Sequence, residues 1–197
     1  MIESNALRFF PEEGIYEVLL STKGEALNVS PIGVRRKEER LYALIYRNTA
    51  TFSNLAKDEK CGITVSHNPI KFYKALKGEL NYAVEVSPEG YPYLPGDAVI
   101  YARCHIESGN DPVMVKINPE KVIENEIKED LYAFSRADSL FIDALVHFTR
   151  IRIEEGQERV ALLRLILYEL ATAKRLKPSL ELFADEIIAE TIKAFKL

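Results

Sequence analysis

The sequence predicts an α+β protein in which an antiparallel β-barrel is followed by a helical C-terminal subdomain. Eight of the nine glycines and eight of the nine prolines lie within residues 1–120, and only Gly156 and Pro178 follow. Since glycine and proline mark turns, the first part should contain many short elements and the second a few long ones. Apolar residues alternate with period two in the first part and recur at helical spacing in the second. We therefore expect segregated layers, with the barrel in residues 1–130 and the helices in residues 131–197.

The predicted strands occupy most of the first part. A hairpin is expected where Ile15–Ser21 precedes the turn Thr22–Glu25 and the strand Ala26–Ser30. In Ala98–Glu107 apolar residues occupy every second position, which predicts one buried face with Cys104 as a core residue. The remaining strand candidates are Leu41–Tyr46, Cys61–Ser66, Val113–Ile117 and Lys121–Glu126.

Two short helices should interrupt the strands. One is predicted over Thr51–Lys57, and the other begins at Asn68–Pro69, where Asn is the N-cap and Pro the first helical residue. Val86–Gly96 contains three prolines and two glycines and is predicted to be a loop.

Helical spacing begins at Tyr132, and the last helix is expected after Pro178–Ser179. Val160–Leu170 is apolar on nearly all sides, which predicts a helix that is buried on more than one side.

Charge and composition exclude several classes of protein. The chain has 26 basic and 30 acidic residues and no basic stripe, so we expect no nucleic-acid partner. It shows neither an export signal nor an apolar run of about 18 residues, so we expect a cytoplasmic protein without a membrane partner. Cys61, Cys104 and the three histidines are scattered, which predicts neither a disulfide framework nor a metal site. Phosphate loops of the Gly-x-Gly-x-x-Gly and Gly-Lys-Ser/Thr types are also absent from the sequence.

The segment Asn28–Val34 places Pro31 and Gly33 where a strand should continue. Proline lacks an amide hydrogen, and glycine lets a ligand approach the main chain closely. The segment therefore suits a flat ligand that lies against the main chain. The same residues are also typical of a bulge at the edge of a barrel.

The segment Tyr46–Leu55 leads from a strand into a short helix and is rich in hydrogen-bond donors. Arg47 supplies a guanidinium, and Thr49, Thr51 and Ser53 supply hydroxyl groups. Arginine, hydroxyls and free amides at a helix start together suit a monophosphate dianion. The alternative is helix capping by Thr49 or Thr51, with Arg47 as a surface charge.

Together these segments resemble the archaeal FMN-binding proteins of the flavin-reductase-like split-barrel superfamily. The resemblance spans nearly the whole chain, because five motifs occur in order: Ser30–Val34, Tyr46–Leu55, His67–Pro69 with Phe72, Phe134–Ala137 and Ala144–Arg150. This chain departs from the family pattern in having Ser30 for Ala, Ile32 for Met, Ser135 for Asn, and His67-Asn68 for an acidic pair.

The resemblance implies a split β-barrel that binds FMN at the interface of a homodimer. It places the flavin ring against the segment that starts at Asn28, and the phosphate and ribityl chain against the segment that starts at Tyr46. His67 and Asn68 would border the flavin from the next strand. The implied cofactor-binding residues are Asn28, Ser30, Pro31, Ile32, Gly33, Val34, Tyr46, Arg47, Thr49, Thr51, Asn54, His67 and Asn68.

The resemblance favours a flavin-reductase-like oxidoreductase of unknown substrate and electron donor, in which FMN transfers electrons. It assigns no catalytic residue. The alternative is a non-catalytic FMN-binding protein that acts as a carrier, store or sensor, since His67 is the one obvious acid–base group beside the expected ring site. A purely structural dimer is a third possibility, which the donor-rich segment around Arg47 disfavours.

Overall fold

A computed structural model describes residues 2–107, 109–124 and 130–196. These residues form two compact units. The first comprises the residues up to 12 together with 16–134, and the second comprises residues 13–15 with those from 135 onward. The first unit is mainly β-structure and the second is mainly helical.

Six strands close an antiparallel barrel in the order β1-β2-β3-β8-β7-β4, and β5 and β6 form a separate two-stranded sheet. The strands are β1 (Gly14–Lys23), β2 (Leu27–Lys37), β3 (Arg40–Ile45), β4 (Lys60–Val65), β5 (Glu85–Val86), β6 (Pro92–Tyr93), β7 (Ala98–Ile106) and β8 (Val113–Glu124). The predicted barrel is thereby confirmed. The strand predicted over Lys121–Glu126 is the end of β8, and its residues 125 and 126 lie outside the described part of the chain.

The alternation in β7 shows how the pattern builds the barrel interior. Ala98, Ile100, Ala102 and Cys104 are fully buried, whereas Arg103 and His105 are exposed on the opposite face. Burying one apolar face of each strand is the main favourable term in the folding of such a barrel.

The helices are α1 (Ile2–Leu7), α2 (Ala50–Leu55), α3 (Pro69–Leu76), α4 (Arg136–Arg150), α5 (Gly156–Leu176) and α6 (Glu181–Lys196). None of the described helices is both long and apolar enough to span a membrane. The sequence analysis did not predict α1. It leads to Phe9 and Phe10, which are fully buried in the barrel core.

Two local predictions need correction. The segment Val86–Gly96 is not wholly a loop, because Val86 ends β5 and Pro92 begins β6. Helical structure does not begin at Tyr132 but at Arg136, where Ser135 is the N-cap. The residues before it continue the sheet, since Glu17 of β1 forms a β-bridge with Phe134.

Cys61 and Cys104 are joined by a disulfide, which contradicts the expectation that the scattered cysteines form none. They are far apart in the chain, but β4 and β7 are neighbouring antiparallel strands in which Cys61 lies opposite Ala102. Both cysteines point into the barrel, and their Cα atoms lie 6.1 Å apart. Barrel closure, which sequence spacing does not reveal, brings them together.

The helical unit has its own core. Ala144, Ile151, Leu162, Ile166 and Leu170 are buried there. Within this unit His147 Nδ1 lies 2.9 Å from Glu169 Oε2.

The α5 helix is not covered on all sides. It packs against both α4 and α6, but Val160, Leu165 and Tyr168 are 38%, 43% and 65% exposed in the single chain.

Candidate functional site

The two donor-bearing segments of the sequence meet in a hydrogen-bonded cluster between β2 and α2. Asn28 Nδ2 donates to Ser30 Oγ (3.1 Å) and to Thr51 Oγ1 (3.2 Å), and Thr51 Oγ1 donates to Ser30 Oγ (3.2 Å). Thr51 is buried, whereas Asn28 and Ser30 are half-buried. Solvent or a ligand can therefore partly reach Asn28 and Ser30, whereas the Thr51 hydroxyl is enclosed.

One of the two hydroxyl hydrogens in this cluster has no acceptor within the cluster. The three polar atoms lie 3.1–3.2 Å from one another, and only one of the two hydroxyls can donate to the other. Thr51 Oγ1 donates to Ser30 Oγ, so the O–H that is not used within the cluster belongs to Ser30. It is available to an acceptor on a ligand.

Arg47 lies just before α2 with its side chain exposed. Its Nη2 donates to the carbonyl oxygen of Gly109 at 2.9 Å, and the guanidinium carbon lies 5.4 Å from the ring centre of Phe52. Its main-chain N–H donates to Asp111 Oδ1 at 2.9 Å. The guanidinium is thus held in place, although a carboxylate lies close to its main chain.

Thr49 is the N-cap of α2, which confirms one of the two capping candidates. Its Oγ1 accepts from the N–H of Phe52 at 3.2 Å and donates to the Tyr46 carbonyl at 2.7 Å. Tyr46 itself is 57% exposed. The Thr49 hydroxyl already has partners within the chain, which makes it a weaker ligand donor than Ser30.

Asn54 is buried and faces the β1–β2 turn. Its Nδ2 donates to Thr22 Oγ1 (3.2 Å) and to the Ala26 carbonyl (3.0 Å). A Cβ at Gly24 would lie 2.3 Å from Asn54 Oδ1, so only glycine leaves room for this contact. The structure thus gives Asn54 a direct role in holding the hairpin.

The Pro31–Gly33 stretch is a continuous part of β2 but precedes its pairing with β3. The β2–β3 register runs from Val34 opposite Ala43 to Lys37 opposite Arg40. Val34 is fully buried in the barrel core, and Ile32 packs against that core. The main chain of Pro31–Gly33 therefore lies outside the β2–β3 ladder.

Asn68 is the N-cap of α3, as predicted, with Oδ1 accepting from the N–H of Ile70 at 2.9 Å. His67 Nε2 lies 2.6 Å from the carbonyl oxygen of Tyr132. The ring of His67 meets the rings of Tyr132 and Phe134 edge to face, with centroids 5.6 and 6.2 Å apart. The structure thus places His67 among aromatic side chains and not in the Ser30–Thr51 cluster.

The sequence analysis did not predict that aromatic side chains surround His67. Tyr132 and Phe134 are exposed on either side of the fully buried Ala133, which is the alternation of a strand. That signal was too short to outweigh the helical pattern that follows. Among the described residues, no group of three or more Cys, His, Asp or Glu side chains is placed to hold a metal ion.

The closed antiparallel barrel with its following helices defines a flavin-reductase-like split-barrel fold. The chain belongs to the family described as protein of unknown function (DUF447), whose N-terminal domain matches residues 16–126 and whose C-terminal part matches residues 135–190. No curated protein matches the chain.

Three solved structures illustrate the fold. An FMN-bound protein of the DUF447 family from Methanosarcina mazei is 24% identical with a TM-score of 0.56, over 93% of this chain and 97% of that chain. Flavoredoxin from Methanosarcina acetivorans is 11% identical with a TM-score of 0.51, over 61% and 74%. The flavin reductase HpaC in complex with NADP+ is 10% identical with a TM-score of 0.50, over 64% and 86%.

Proposed function

We propose that this chain binds FMN in residues 1–130 and acts as a flavin-reductase-like oxidoreductase of unknown substrate. The observation that carries the proposal is the contact of Asn28 and Ser30 of β2 with Thr51 of α2, which joins the two segments expected to hold the ring and the phosphate. The fold shared with the FMN-bound protein from Methanosarcina mazei supports the choice of cofactor.

At the phosphate end, Arg47 is the principal charged donor. A guanidinium has five N–H groups, and within the described part of the chain one of them donates to Gly109. The others can pair with phosphate oxygens, for which arginine geometry is well suited. Tyr46, Thr49 and Thr51 would surround the phosphate and ribityl chain, with Asn54 supporting them through the hairpin.

At the ring end, the Ser30–Val34 main chain would face the isoalloxazine. Gly33 would let the ring approach the main chain closely, and the remaining Ser30 O–H would donate to an acceptor of the ring or ribityl chain. His67 and Asn68 would border the flavin. FMN, when bound, supplies hydride and electron transfer, while the protein supplies orientation and electrostatics.

We further propose that two copies form a homodimer with FMN where they meet. The exposed apolar side chains of α5 support a second copy, because Val160, Leu165 and Tyr168 would otherwise leave apolar surface in water. A two-fold dimer buries the same patch on both subunits.

A non-catalytic FMN binder remains the alternative function. It is favoured by the state of His67, whose Nε2 is already engaged by the Tyr132 carbonyl at 2.6 Å. An imidazole held in this way has only Nδ1 free for proton transfer.

Two measurements test these proposals. Purified protein mixed with FMN and then desalted should retain the flavin absorption bands, and a protein without them would refute FMN binding. Anaerobic addition of NADH or NADPH to the loaded protein separates the two functions. Bleaching of the bound flavin supports the oxidoreductase, and a bound flavin that neither donor reduces supports the carrier, store or sensor.

A further inference from the structure

The solvent-facing side of α3 carries large apolar side chains, whereas the solvent side of a surface helix is normally polar. Ile70, Tyr73, Lys74 and the C-cap Lys77 are spaced i, i+3, i+4 and i+7, so they share one face. Ile70 is 59% exposed and Tyr73 is 56% exposed. The other side of the helix is anchored, since Ala75 is buried in a core cluster of the first unit.

Leu76 extends this apolar surface. It lies one turn after Tyr73 and is 71% exposed. Contiguous exposed apolar side chains on a soluble protein mark sites where another molecule binds. We refer to Ile70, Tyr73, Lys74, Leu76 and Lys77 as the α3 face.

The α3 face is locally positive in a chain whose net charge is -4. Residues 69–80 contain Lys71, Lys74 and Lys77, with Glu79 as the one acidic residue. Within the described part of the chain, none of these three ammonium groups forms an ion pair. Lys77 Nζ lies 5.9 Å from the centre of the Tyr73 ring. The face therefore offers cations that no carboxylate of its own surroundings neutralises.

An apolar centre with charges at its edge is the arrangement found in protein–protein interfaces. A helix of eight residues is about 12 Å long, which suits the small interfaces of electron-transfer complexes. A second copy is disfavoured as the occupant, because a two-fold axis would bring Lys74 and Lys77 against the same lysines. The charge of the face calls for a partner with exposed carboxylates.

The position of α3 indicates what such a partner would do. The helix begins directly after His67 and Asn68, the residues expected to border the flavin. A protein that docks on the α3 face would therefore lie beside this border.

We propose that the α3 face docks a small acidic protein that carries one electron at a time. Carboxylates of the carrier pair with Lys74 and Lys77, and its apolar surface covers Ile70 and Tyr73. Docking is a property of the α3 face itself, whereas electron delivery rests on the proposed function. Two carrier molecules give up one electron each, and these two electrons with two protons from water reduce one bound FMN.

A plant-type ferredoxin, which is a small acidic iron–sulfur protein of low reduction potential, is the probe. Calorimetry measures its binding to the flavin-free and the FMN-loaded protein at about 20 mM and about 300 mM salt. We expect binding to both forms, with affinity at least about tenfold lower at the higher salt concentration. Anaerobic mixing of the loaded protein with reduced ferredoxin should bleach the flavin.

Variants connect the binding to the α3 face. Lys74→Glu combined with Lys77→Glu should weaken ferredoxin at least about tenfold at low salt. Lys37→Glu combined with Lys116→Glu is the matched control, because it changes the net charge equally at exposed lysines of β2 and β8. This control should change the affinity less than about threefold. Tyr73→Ala should weaken binding about threefold or more at both salt concentrations, since salt does not screen apolar contacts. Circular dichroism verifies that each variant is folded.

Several outcomes would overturn the inference. These are no binding of ferredoxin to either form, binding that does not depend on salt, or an equal loss in the Lys37 and Lys116 control. Binding to phosphatidylserine vesicles that Lys74→Glu with Lys77→Glu abolishes would assign the face to a membrane surface. A dimer that dissociates in Tyr73→Ala would assign it to a second copy.

Failure of the proposed function is seen separately. If the protein does not retain FMN, titration of the flavin-free protein still tests docking on the α3 face. Ferredoxin that docks on loaded protein without bleaching the flavin would refute electron delivery.

Discussion

Replacing Arg47 with Ala tests the phosphate end of the proposed site. Arg47 is exposed and its side chain meets Gly109 and Phe52, so the fold should lose little stability. A charge-assisted hydrogen bond to a phosphate contributes about 1.5–3 kcal/mol. The Asp111 carboxylate, which accepts the Arg47 main-chain N–H, repels a dianion and reduces the net gain. We therefore expect FMN affinity to fall roughly ten- to thirtyfold.

Riboflavin provides the internal comparison, because it lacks the phosphate. Its affinity should change less than about threefold in Arg47→Ala, since only packing is lost. Quenching of flavin fluorescence on binding measures both ligands at one ionic strength. Arg40→Ala, which removes another exposed guanidinium of the barrel, is the control and should leave both affinities unchanged. An equal loss for FMN and riboflavin would place Arg47 away from the phosphate.

Further predictions address the ring end, the core and the assembly. Gly33→Val should abolish flavin binding, because a side chain there fills the space next to the main chain, while the circular dichroism spectrum stays unchanged. If this variant binds FMN normally, the segment around Gly33 does not contact the flavin ring. Ser30→Ala should weaken FMN and riboflavin alike, by roughly two- to tenfold for one neutral hydrogen bond, and a loss confined to FMN would move Ser30 to the phosphate. Cys104→Ala should lower the free energy of unfolding by about 2–4 kcal/mol, since the disulfide closes a long loop; urea denaturation that shows no change would contradict the pairing. Dilution should release flavin and produce monomers together, and added FMN should suppress both, whereas tight FMN binding by a stable monomer in sedimentation would exclude the shared site.

Several elements were predictable because their signals are local. The β7 alternation that buries Ile100 and exposes Arg103 is visible in a few consecutive residues, since neighbouring side chains of a strand point to opposite faces. The Asn68–Pro69 start of α3 depends on cap and ring geometry within a single turn. In the candidate site, the donor-rich character of the segment with Arg47 and Thr51 is likewise local, and its role in binding a ligand stays a prediction.

Other features depend on contacts between distant parts of the chain. The role of Asn54 toward a ligand stays a prediction, and what the sequence did not reveal is that closure of the hairpin engages its amide with Thr22 and Ala26. His67 is expected to border the ring site, which stays a prediction, and the return of the chain at Tyr132 surrounds it with aromatic side chains that residue spacing did not reveal. Each case depends on which segments become neighbours, and residue spacing does not contain that information.

The sequence by itself determined that a strand-rich part precedes a helical part and which segments are rich in donors, because turn residues and burial periodicity act over a few positions. Only the tertiary structure decided that Cys61 pairs with Cys104, that Thr51 shares its hydroxyl with Ser30, and that Phe134 faces His67. Those pairings follow from strand order and register around a closed barrel, where a shift of one residue would turn each side chain to the other face.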